Sequence, residues 1–271
     1  MDFSKVKLVV SDMDGTLLNP NSEVSNRFIN QFKELKKQNV HFVAASGRQY
    51  QSILDKLDFI KDDISIIAEN GGMMKLNQKE HILLELDTEH IAKTINILRQ
   101  VEGAYIVLCG RKSAYIETDD LEFISFFSDY YKTYSIVDDL TEVKNDCFLK
   151  IAVYHNKSSE KYIFPSTTVL QNDLKVIVSG KNWLDISHAQ ANKGYALSIL
   201  QKELGISKAE TMAFGDYNND LDMLKLAEFS FAMENAHDDV KKTARYKTKS
   251  NAEEGVENVL DKLINSKLLQ E

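Results

Sequence analysis

The sequence predicts an α/β fold built on a parallel sheet, and three observations carry that prediction. Short apolar runs rich in β-branched residues alternate with stretches of helical periodicity. The alternation breaks near residue 80, gives way to a differently patterned segment, and resumes after residue 190. Acidic, hydroxyl and amide residues recur just past the ends of the apolar runs, where open α/β sheets hold their ligands.

The first run, residues 6–10, is apolar with no clean alternation, as a strand buried on both faces must be. It leads into Asp12-Met13-Asp14-Gly15-Thr16. Ser22-Glu23-Val24 reads as a helix N-cap, because Val24, Phe28, Phe32 and Leu35 then follow at helical spacing before Lys36-Lys37-Gln38-Asn39. Residues 40–45 form the next expected strand, ending at Ser46-Gly47-Arg48, and residues 64–68 a third, ending at Glu69-Asn70-Gly71-Gly72. Such alternation implies right-handed βαβ units and a parallel sheet.

From there the pattern changes. Residues 88–101 read as a helix, and residues 104–109 and 114–117 as a hairpin about Gly110-Arg111-Lys112. An aromatic helix through Phe123, Phe126, Phe127 and Tyr130 follows, its spacing that of a local core. Then come a strand at 148–154, a helix over 158–170, and strands at 174–178 and 183–186. Afterwards the first pattern returns: a helix with Ala196, Leu197, Leu200 and Leu204 stopped by Gly205, a strand at 211–214, a helix from Asp220, a strand at 229–233 and two closing helices. The expected organisation is a core domain of residues 1–82 and 188–271, interrupted by a smaller α/β domain of residues 83–187.

Composition narrows the function. The chain has 271 residues, ordinary hydrophobic and charged fractions of 43% and 27%, and a net charge of −8, which works against nucleic-acid binding. An anionic substrate would need a local cluster of cations to overcome that field. Cys109 and Cys147 are distant in sequence, without zinc-ligand or disulfide spacing, which fits a reducing compartment. Met1 is followed by the acidic Asp2 rather than a leader pattern, and no apolar run reaches membrane-spanning length. The expectation is a cytoplasmic protein with no membrane partner, monomeric or weakly self-associating. The six histidines are scattered and read as structural or surface groups.

The chemistry lies at the strand ends, which a parallel sheet brings to one edge. Asp12 and Asp216 offer hard carboxylate oxygens suited to Mg²⁺, which favours a few carboxylates together with phosphate oxygen and water. Ser46, Lys193 and Asn219 supply a hydroxyl, an ammonium and an amide, all donors to phosphoryl oxygens. Asp12 is placed to attack an electrophile, and Asp14 to serve as acid and base. Taken singly these segments are weak signals: two aspartates before Gly-Thr make an Asx-rich loop, Ser46-Gly47-Arg48 an ordinary turn. Their joint order gives them meaning.

That order resembles the haloacid dehalogenase superfamily, and within it the Cof-type phosphatases. Asp12-Met13-Asp14-Gly15-Thr16 is similar to its first motif, Ala45-Ser46-Gly47-Arg48 to its second, Lys193-Gly194 to its third and Gly215-Asp216-Tyr217-Asn218-Asn219-Asp220 to its fourth. Glu69-Asn70-Gly71-Gly72, Met233-Glu234-Asn235-Ala236 and Glu254-Gly255-Val256 resemble secondary signatures of the subfamily. Tyr217 and Glu234 depart from it, standing where a small residue and a glycine are usual. The resemblance implies a Rossmann-like parallel sheet core with an inserted α/β cap of type C2 that acts as a substrate lid. It also implies Asp12 as nucleophile, Asp14 as general acid and base, and Mg²⁺ on Asp12, the Asp14 carbonyl and Asp216. Phosphate contacts would come from Met13, Ser46, Gly47, Lys193 and Asn219, with Arg48 and Asp220 in support. Arg48 could bind phosphate or form a salt bridge. Tyr105, Tyr115, Lys181 and Trp183 read as core or surface of the inserted domain, with a substrate-facing role the lesser alternative.

The expected activity is a Mg²⁺-dependent phosphatase of small phosphorylated metabolites, sugar phosphates foremost. Pyridoxal phosphate or flavin mononucleotide hydrolysis, a phosphomutase and a phospholigand sensor are the alternatives.

Overall fold

The computed structural model describes residues 2–269. The chain opens with β1 (Leu8–Asp12), buried along its whole length. The next element is α1 (Asn26–Lys37), capped by Ser25, whose Oγ accepts the Phe28 N–H at 3.0 Å. The expected cap at Ser22 is corrected: Ser22 has left-handed backbone (φ 59°), whereas an N-cap needs the extended conformation that Ser25 adopts. Then come β2 (His41–Ala45), α2 (Tyr50–Lys56) and β3 (Ser65–Ala68). A hairpin of β4 (Met73–Leu76) and β5 (Lys79–Ile82) turns through Asn77 and Gln78, both left-handed (φ 50° and 63°), as two-residue hairpin loops require. Without a glycine in the turn, the sequence reading has no hairpin here.

The middle of the chain forms α3 (Thr88–Leu98), β6 (Ala104–Gly110), β7 (Ala114–Ile116), α4 (Leu121–Phe127), β8 (Tyr134–Ile136) and β9 (Phe148–His155). It continues with α5 (Ser159–Tyr162), α6 (Phe164–Thr167), β10 (Leu174–Val178) and β11 (Trp183–His188). The single helix expected over residues 158–170 is thus two short ones that break at Ile163. Pro165 lacks an N–H and its ring would crowd the carbonyl four residues back, so one continuous helix is excluded. The chain ends with α7 (Lys193–Leu204), β12 (Thr211–Gly215), α8 (Leu221–Lys225), β13 (Phe229–Ala232), α9 (Asp238–Thr243), β14 (Tyr246–Lys247) and α10 (Gly255–Leu268).

These elements form two compact units. The described part of the first is residues 2–47, 53–81 and 192–269; the second holds residues 48–52 and 82–191. The first unit carries an eight-stranded sheet in the order β14-β13-β12-β1-β2-β3-β4-β5. Its strands from β14 to β3 are parallel, and β4 turns antiparallel against β3. In the register of β1, Asp12 lies opposite Ala45, and Ser11 opposite Phe214. Residues that follow Asp12, Ala45 and Phe214 therefore emerge at one edge of the sheet. Phe28 and Phe32 of α1 pack on Phe42 of β2 at centroid distances of 5.1 and 6.2 Å, closing the apolar layer under that edge.

The second unit is a six-stranded sheet, β10-β11-β9-β6-β7-β8. One face buries Ile151, Val153, Leu184 and Ile186 with Ile91, Ile95 and Leu98 of α3. The other buries Val107, Ala114, Ile116 and Ala152 with Phe123 and Phe127 of α4, so the aromatic helix is indeed a local core. Tyr105 stacks on Phe123 at 4.1 Å, Tyr115 meets Phe148 edge-on, and Trp183 packs among Phe126, Tyr130, Tyr131 and Tyr154. Lys181 is exposed.

Candidate active site

At the end of β1 the chain coils tightly. Leu17 N–H donates to the Asp12 carbonyl at 3.3 Å, and the Thr16 and Leu18 N–H groups donate to that of Met13 at 3.3 and 2.8 Å. Asp12 is left buried at the base of the coil and Asp14 exposed on it. The coil needs glycine at Gly15: its φ is +78°, and a Cβ there would lie 2.3 Å from Asp216 Oδ2. Met13 itself is fully buried.

Lys193 begins α7, behind the cap of Asn192, whose Oδ1 accepts the Tyr195 N–H at 2.7 Å. Its side chain is fully buried and its ammonium donates to Asp12 Oδ1 and, at 2.6 Å, to Asp220 Oδ1. The other Asp220 oxygen accepts the backbone N–H groups of Asp216 and Tyr217 at 3.0 and 3.2 Å. One fully buried carboxylate thus holds both the lysine and the loop after β12. Asp216, at the mouth of that loop, accepts the Thr16 hydroxyl at 3.1 Å. The first and fourth segments of the sequence reading are therefore tied directly, across 200 residues.

Ser46 is buried after β2; its N–H donates to the Ile67 carbonyl at 2.8 Å, and its carbonyl accepts the Asn70 N–H at 3.1 Å. Asn219 donates its amide to Asn70 Oδ1 at 3.0 Å. Arg48 groups with the second unit, where Nη1 donates to Ser52 Oγ and the Asp129 carbonyl, both at 3.2 Å, and the guanidinium lies 5.3 Å from the Tyr130 ring centre. Tyr217 turns its ring edge-on to His237, and Glu234 is exposed, 3.9 Å from the Lys249 ammonium.

Asp12, Asp216 and Asp220 each offer an oxygen within 4.8 Å of the others. Burial raises the Asp12 carboxyl well above its usual range, with Lys193 pulling it back and the neighbouring aspartates pushing it further. Burial, then the Asp220 charge, push Asp216 up to about 7. Lys193 is the converse: burial works against its charge, but Asp12 and Asp220 hold it protonated and raise its pKa. Two like charges about 4 Å apart repel by about 4 kcal/mol at an effective dielectric of about 20, so three carboxylates around one ammonium leave a strong local excess of negative charge. This donor set fits a divalent cation. With both Asp220 oxygens engaged, Asp12 and Asp216 are the carboxylates that would hold it, and hard oxygens of that number suit Mg²⁺.

Two asparagines support the coil from loops distant in sequence. Asn235 donates to the Gly15 carbonyl at 2.8 Å and Asn251 to the Leu18 carbonyl at 2.8 Å, while the Asn251 N–H donates to Asn235 Oδ1 at 3.2 Å. The middle and the far end of the Asp14 coil are thereby pinned. The only signal for Asn235 was its place in Met233-Glu234-Asn235-Ala236.

A parallel-sheet edge that gathers a buried aspartate, its lysine and further carboxylates defines a class of enzyme acting on phosphoryl groups. The comparisons place the chain within it. Residues 9–260 match the family model for haloacid dehalogenase-like hydrolases, and the chain belongs to that family. It is 33% identical to the 5-amino-6-(5-phospho-D-ribitylamino)uracil phosphatase YbjI of Escherichia coli, over 96% of each chain. Among solved structures it resembles SMU.1108c from Streptococcus mutans, with a TM-score of 0.88 at 29% identity over 96% of this chain and 99% of that one. A haloacid dehalogenase-like hydrolase from Bacteroides thetaiotaomicron aligns with a TM-score of 0.82 at 26% identity, over 95% and 99%. The chain is a phosphoric monoester hydrolase.

Proposed function

We propose that the chain hydrolyses small phosphorylated metabolites, sugar phosphates foremost, in a Mg²⁺-dependent reaction that passes the phosphoryl group through Asp12. The observation that carries this reading is the buried Asp12 carboxylate bonded to Lys193 beside Asp216. In the first step an Asp12 oxygen attacks phosphorus, the bond to the leaving oxygen breaks, and Asp14 gives that oxygen a proton. In the second, Asp14 takes a proton from water, the hydroxide attacks phosphorus, and the Asp12–phosphorus bond breaks to release inorganic phosphate. Lys193 neutralises the equatorial charge, while Ser46, Asn219 and the backbone at Met13 and Gly47 donate to phosphoryl oxygens. Mg²⁺, held by Asp12, Asp216 and the Asp14 backbone carbonyl, would supply charge neutralisation between carboxylates and phosphate. The name of the Escherichia coli relative, a phosphatase of a ribityl phosphate, supports a polyhydroxylated substrate.

The test is phosphate release from a panel of sugar, polyol, pyridoxal and flavin phosphates with Mg²⁺, run beside Asp12→Asn. Loss of at least about a thousandfold in turnover, with folding intact, is expected of a nucleophile. Phosphoryl return to a second hydroxyl instead of release would assign a mutase. Tight binding without turnover in the unaltered chain would assign a sensor.

A further inference from the structure

Glu69, Asn70 and Gly71 are three consecutive residues with left-handed backbone, φ 51°, 52° and 93°. For residues other than glycine that conformation costs about 1 kcal/mol or more each, and it persists where surrounding structure enforces it. Asn70 reaches two of the proposed phosphate donors, Ser46 and Asn219. It is 6% exposed, its N–H holds the Ser46 carbonyl at 3.1 Å, and its Oδ1 accepts the Asn219 amide at 3.0 Å from 149 residues away. The backbone of Gly47 lies against the same side chain: a Cβ there would come within 3.0 Å of the Asn70 amide.

We propose that Asn70 is a positioning residue for phosphate binding, acting through Asn219. By accepting one amide N–H it fixes which way the Asn219 amide faces and leaves the second N–H for an anionic oxygen, while its own backbone sets the height of the Ser46 turn. The left-handed segment is the geometric cost of joining the ends of β2, β3 and β12 through one side chain. This rests on the reading of Asn219 as a phosphate donor, and the experiment separates the two.

Inhibition by inorganic phosphate, with Mg²⁺ present and p-nitrophenyl phosphate as reporter substrate, is measured for Asn219→Ala, Asn70→Gly and the double variant. Glycine retains the backbone conformation and deletes only the side chain. Asn219→Ala and Asn70→Gly are each expected to weaken phosphate inhibition about tenfold, the loss of one hydrogen bond to a charged group. The double variant is expected to stay within about twofold of Asn219→Ala, because coupled residues are not additive. A thermal midpoint unchanged in Asn70→Gly separates this from a general loss of structure. Phosphate inhibition unchanged in Asn70→Gly, or multiplied losses in the double variant, would overturn the proposal while leaving Asn219 in place. Unchanged inhibition in Asn219→Ala would overturn the reading of Asn219 itself. If Asn70→Gly does not fold, Asn70→Ala, which removes the Oδ1 acceptor at the cost of some backbone strain, enters the same cycle: independent losses refute the proposal and coupled losses support it.

Discussion

Single residues here do their work by holding others. Asp220 is the clearest case, since its two oxygens fix Lys193 and the backbone of Asp216 and Tyr217, and a fourth-motif aspartate could be read from sequence without revealing that division. Asn235 and Asn251 were harder to see, because an asparagine that pins a carbonyl looks like any loop asparagine until the fold brings its target alongside. His41 makes a prediction at this scale. Its imidazole bonds Ser65 Oγ at 2.8 Å, and burial lowers its pKa below the ordinary 6.5. The unfolded chain therefore binds that proton more readily: the contribution to stability is complete above 6.5 and is lost as pH falls through the lowered value. His41→Gln, which keeps a hydrogen-bonding side chain, should flatten the acid-side decline by at most about 1.4 kcal/mol per pH unit. Urea midpoints at about pH 7.5 and about pH 5.5 for both chains measure it.

At the scale of elements, the buried parallel strands were legible because β1, β2, β3 and β12 are apolar on both faces, and their ends followed from polar residues directly after them. Elements without such contrast escaped. β8 is exposed throughout, β14 has two residues, and the hairpin of β4 and β5 turns without glycine. The N-terminus of α1 shows how tertiary contact selects among adjacent serines. Ser25 caps the helix and also donates to Glu257 Oε1 of α10 at 2.6 Å, an arrangement that Ser22 has no means to make. Ser25→Ala should cost about 1–2 kcal/mol, one cap plus part of a hydrogen bond, read as a lower denaturant midpoint with unchanged slope. Activity at saturating substrate should stay near that of the unaltered chain, since α1 contributes no side chain to the site.

For the whole molecule, the patterning of the sequence changes near residue 80 and again near residue 190, and the compact units change over at residues 81–82 and 191–192, with residues 48–52 also grouped in the second. The close approach of Thr16 to Asp216 could not be read the same way, because nothing local links residues so distant. A cation between Asp12 and Asp216 should stabilise the fold as a whole. Mg²⁺ at about a hundred times its Kd contributes about 2.7 kcal/mol to stability, a rise of several degrees in thermal midpoint that chelation with EDTA should reverse together with activity. An unchanged midpoint with Mg²⁺ would argue against a cation at those carboxylates. The pairing of β1 with β12 has a further consequence during synthesis. Leu8 of β1 pairs in register with Thr211 of β12, so at about 5–20 residues per second the ribosome emits the first strand at least about ten seconds before its neighbour exists. Until then the nascent chain carries an unpaired sheet edge, and Asp12 stays without the ammonium that neutralises it in the fold until Lys193 is made.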